Sequence, residues 1–71
     1  MDEERTRNLV LRFWSLASSQ RREIAFRLQL IDERDMIMPE PERYGRALEK
    51  AGERGILDQL VQEVERMEGK Q

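Results

Sequence analysis

The chain contains no cysteine and no histidine. That excludes disulfide staples, Cys/His zinc sites and nucleophile–histidine catalysis. Glycine and proline are scarce, at four and two residues, so there is no glycine-rich phosphate loop and no proline-rich linker. Long apolar runs are missing too. The longest stretch without a charge, Phe13 to Gln20, is too short and too polar to span a bilayer, and MDEERTRN at the start is no signal peptide. These absences, with the lack of cysteine, lead to an expectation of a cytoplasmic protein. Aromatic residues are few as well: one Trp, one Tyr and two Phe.

What is present is charge and helical periodicity. Charged residues make up 39% of the chain, and the net charge is −2. A chain of 71 residues allows one domain. A domain this small buries only about 60% of its unfolded surface. Its stability is expected near 4–10 kcal/mol. The two halves differ in sign. Residues 1–30 carry six basic and four acidic groups, and residues 31–71 carry seven and eleven. Basic and acidic faces of this kind suit complementary association, and they equally serve as ordinary solvated surfaces.

The apolar spacing predicts four helices. The first runs from Glu3 to Leu16. Asp2, Glu3 and Glu4 stand where the helix dipole favours acids, and Leu9, Val10, Phe13 and Trp14 form a stripe, with Leu11 off it. Ser18 or Ser19 is placed to cap a second helix, Gln20 to Leu30. Its two apolar sides, Ile24/Leu28/Ile31 and Phe26/Leu30, assign it the central position. Residues 32–40 read as an ordered loop with one helical turn, and Met36, Ile37 and Met38 are expected to fold back on the core. A Met-rich contact surface is the alternative.

Pro39–Met67 reads as two helices hinged at Gly55. Pro41 lies in the first turn of the third helix, whose stripe is Tyr44, Ala47, Leu48 and Ala51. Gly45 and Gly52 inside it imply close approach by another helix, or, for Gly52, fraying near the helix end. The fourth helix carries Leu57, Leu60, Val61, Val64 and Met67. No strand alternation competes. The expected fold is all-α: a compact antiparallel bundle of four to five short helices forming one domain over residues 1–71, with 1–2 and 69–71 frayed.

Glu49, Glu53, Glu63, Glu65 and Glu68 fall on exposed helix faces and do not form a converging carboxylate pair. Asp32, Glu33, Asp35 and Glu40 lack the spacing and turn glycine of a calcium loop. No catalytic, cofactor or metal-binding residue is therefore expected. Arg5, Arg7, Arg12, Arg21, Arg22 and Arg27 offer a basic patch for nucleic acid, but the acidic pI near 5.2 argues against it. Helix 1, with Phe13 and Trp14, has an interfacial look, yet so small a protein needs those rings in its core.

The segments FWSLASSQRREIAFRLQLI and PEPERYGRALEKAGERGILDQLVQEV resemble the GTPase-associated adaptor and effector-associated domains of bacterial conflict and signalling proteins. These belong among the death-like helical domains. The resemblance covers about Leu9 to Val64. It implies a non-catalytic adaptor that couples an effector to a sensor or regulator by homotypic or heterotypic association. No family interaction residue maps onto this chain. From charge alone, the expected contact sets Arg21, Arg22 and Arg27 against Asp58, Glu63 and Glu65, and reversing Arg21 and Arg22 is expected to weaken association without loss of helicity. A nucleic-acid-binding regulator and an antitoxin-like inhibitor of a neighbouring enzyme are the rival readings.

Overall fold

The computed structural model describes residues 3–69. The expected role of Asp2 and the fraying expected at 1–2 and 70–71 lie outside that range, whereas Gly69, also expected to fray, caps α4 with its N–H on the Glu65 carbonyl at 3.1 Å. Four α-helices and one 3₁₀ turn follow in order: α1 (Glu3–Ser15), α2 (Ser18–Arg27), η1 (Glu33–Ile37), α3 (Glu40–Glu53) and α4 (Leu57–Glu68). The fold is an all-α helical bundle, as the periodicity predicted. Its axes measure 31 × 29 × 18 Å.

The predicted stripes become the core. Leu9, Phe13 and Leu16 from α1 and its end meet Tyr44, Ala47 and Ala51 of α3 and Leu60, Val64 and Met67 of α4. Phe13, Trp14 and Tyr44 pack edge to face, with ring centroids 5.9–6.1 Å apart. Such pairs add about 0.5–1.5 kcal/mol beyond area burial. Leu11, off the stripe, is exposed.

The central helix is α4, which packs against α1, α2 and α3, whereas α2 packs mainly on α3 and α4. The expectation for α2 fails because the helix stops early. Leu30 and Ile31 reach the core from beyond its end, and Phe26 is partly exposed. The stop is a Schellman turn. Leu30 N–H donates to the Ala25 carbonyl at 2.8 Å and Gln29 N–H to that of Phe26 at 3.1 Å, with Gln29 left-handed at φ 57°. The same arrangement ends α3, where Ile56 N–H reaches Ala51 at 3.0 Å and Gly55 takes φ 69°. Glycine is at ease in that conformation and glutamine is not. Gln29→Gly is therefore expected to raise stability by about 0.5–1 kcal/mol, read as a higher denaturation midpoint.

The start of α2 also differs from expectation. Its N-cap is Ala17, and the Gln20 side chain accepts from the Ala17 N–H at 3.1 Å. Alanine has no side-chain acceptor, so this is half of a capping box. Ser18 instead lies inside the helix and donates its hydroxyl to the Glu40 carboxylate, tying α2 to α3.

In η1, the Asp32 carboxylate accepts from Arg34 N–H at 2.9 Å and Asp35 N–H at 3.3 Å, while Asp35 accepts from Asp32 N–H at 2.9 Å. Met36 packs against the core as expected, but Ile37 does not fold back: it is 89% exposed. A short 3₁₀ turn has only one side facing the bundle, and Ile37 points away from it. The implied close approach at the helical glycines is also absent. A Cβ added at Gly45 or Gly52 would meet nothing within 4 Å. Each glycine still costs about 1 kcal/mol relative to Ala. Nothing within the chain explains Gly45.

Candidate interaction surface

Arg21 is drawn into the fold. Its guanidinium lies 5.3 Å from the Trp14 ring centroid and 5.6 Å from that of Tyr44. It donates to the Trp14 carbonyl at 3.0 Å and to the Leu16 carbonyl. These carbonyls lie at and just beyond the C-terminus of α1, where a cation is favoured by the helix dipole. Glu40 stands 3.7 Å away, and only 12% of the Arg21 side chain is exposed. Reversing its charge would therefore disturb the fold itself, contrary to the expectation of intact helicity.

Arg27 and Glu63, expected on facing surfaces of two molecules, meet within one. Arg27 approaches the Glu63 carboxylate at 3.4 Å, and Arg66 donates to it at 2.6 Å. Arg66 also lies 3.9 Å from Glu23. The result is a charge ladder across α2 and α4, with the Glu63 side chain mostly covered. The hydrogen bond from Arg66 to Glu63 holds the Arg66 guanidinium above its ordinary pKa. Arg22 and Asp58 are exposed and make no ion pair among the described residues. Glu65 is exposed and contributes to a groove of about 230 Å³ between α1 and α4, together with Arg5, Asn8, Leu9, Arg12 and Val61.

Two further arginines carry structure that the sequence reading missed. Arg12 forms a forked pair with Glu68, at 3.0 and 2.5 Å, joining α1 to the last turn of α4. Arg43 donates to the carbonyls of Asp35, Met36 and Met38 at 3.2, 2.9 and 2.7 Å, clamping η1 onto α3. A signal for Arg43 was available. A cation near the start of a helix opposes the dipole, so a local acceptor had to compensate. Of the six N-terminal arginines, Arg12, Arg21 and Arg27 are thus neutralised by in-chain carboxylates. The basic patch needed for nucleic acid is correspondingly reduced.

Three carboxylates are held below their ordinary pKa. Glu68 is lowered by its hydrogen bond from Arg12, Glu40 by that from Ser18 with help from Arg21, and Asp35 by its backbone bond at Asp32. A lowered folded-state pKa gives stability above the ordinary carboxylate range that is lost as pH falls through the folded value. The thermal midpoint should be flat from pH 7 to 5 and drop below about pH 4. Glu40→Gln and Glu68→Gln together should flatten that drop in a pH series of melting curves.

Among the described residues, no cluster of three or more Asp or Glu is placed to hold a metal, and no helix is long and apolar enough to cross a membrane. Fold and surface together define a small all-α domain whose exposed faces are charged and whose partly buried arginines tie the helices together. The chain belongs to the GTPase-associated adaptor domain family, whose sequence profile matches residues 5–66. No curated protein and no solved structure shows significant similarity to it. Membership supports an adaptor role with protein partners.

Proposed function

We propose that this domain is a non-catalytic adaptor that couples effector proteins to sensors or regulators in bacterial signalling or conflict systems, working in the cytoplasm by homotypic or heterotypic association. The observation that carries this reading is the family match over residues 5–66, which spans all four helices. The surface is compatible with it. Arg22 and the half-exposed Arg27 lie on α2, and Asp58 and Glu65 lie on α4. Complementary charges of this kind steer association and set its orientation. Within the charge set Arg21, Arg22, Arg27, Asp58, Glu63 and Glu65, the exposed members Arg22, Asp58 and Glu65 are proposed to make the intermolecular contacts. Arg21 and Glu63 are mostly covered, and the half-exposed Arg27 is held against Glu63 within the chain.

Arg22→Glu tests this without touching the core. Sedimentation at low salt should show association weakened several-fold, with the far-UV circular dichroism of the parent. Association equal to the parent's would remove Arg22 from the contact.

A further inference from the structure

We draw no further inference here: the strongest candidate, the groove between α1 and α4 lined by Arg5, Asn8, Arg12, Val61 and Glu65, carries none, because Arg12 is already paired with Glu68, Arg5 and Glu65 offset each other in charge, and nothing in the structure shows what covers it.

Discussion

Phe13→Ala should remove about 3–5 kcal/mol and abolish most of the cooperative thermal transition. Phe13 is 1% exposed and touches both other rings of the aromatic cluster, Trp14 and Tyr44. Truncation loses the transfer energy of the ring, two edge-to-face contacts and the packing around the void that remains. A domain of this size has about 4–10 kcal/mol in total, so the loss takes a third or more of it. Urea denaturation of parent and variant measures the effect directly. A loss of unfolding free energy below about 1 kcal/mol would mean that the ring is not where the structure places it.

Arg21→Ala should cost about 2–4 kcal/mol, a core-sized effect from a charged residue. The change deletes charge-assisted bonds to the Trp14 and Leu16 carbonyls and two cation–π contacts, and it leaves Glu40 without its nearby cation. Arg21→Lys should recover only part of the loss, since an ammonium lacks the planar fork that serves both carbonyls while lying over the rings. The comparison with Arg22 is informative. The two arginines are adjacent and look alike in the sequence, yet Arg22→Ala should change the unfolding free energy by less than about 0.5 kcal/mol. Equal effects at the two positions would contradict the structural division between them.

That adjacent pair shows what could be read from sequence and what could not. The start of α1 at Glu3 and the place of Pro41 in the first turn of α3 follow from first-turn acids and a proline, both of which are local. The stripes of α1, α3 and α4 became the core because a 3.6-residue period directly encodes one buried face. The second helix was harder. Leu28, Leu30 and Ile31 look like a continuing helical stripe, but Gln29 turns left-handed and sends Leu30 and Ile31 into the core by another route. A non-glycine residue gives no signal for that turn.

The candidate surface was less legible, because its charges pair across the chain. Arg12 and Glu68 are 56 positions apart, and no spacing rule links them. Arg27 and Glu63 seemed to be free charges of opposite sign, and only the packing of α2 on α4 makes them partners. Gly52 and Ile37 carried the opposite lesson. Spacing favoured folding back on the core for Ile37 and a close helix contact or a frayed end for Gly52, and the structure leaves Ile37 exposed and a Cβ at Gly52 without neighbours. In a small domain, residues that break a local rule with no return inside the chain are the natural places to look for a partner.

The central proposal is that this domain self-associates through an exposed surface in which charge guides the approach. Sedimentation of the purified domain over a wide concentration range, at about 50 and 500 mM salt, tests it most directly. The account predicts reversible self-association that weakens at the higher salt. A single monomeric species at every concentration and at both salts would contradict it.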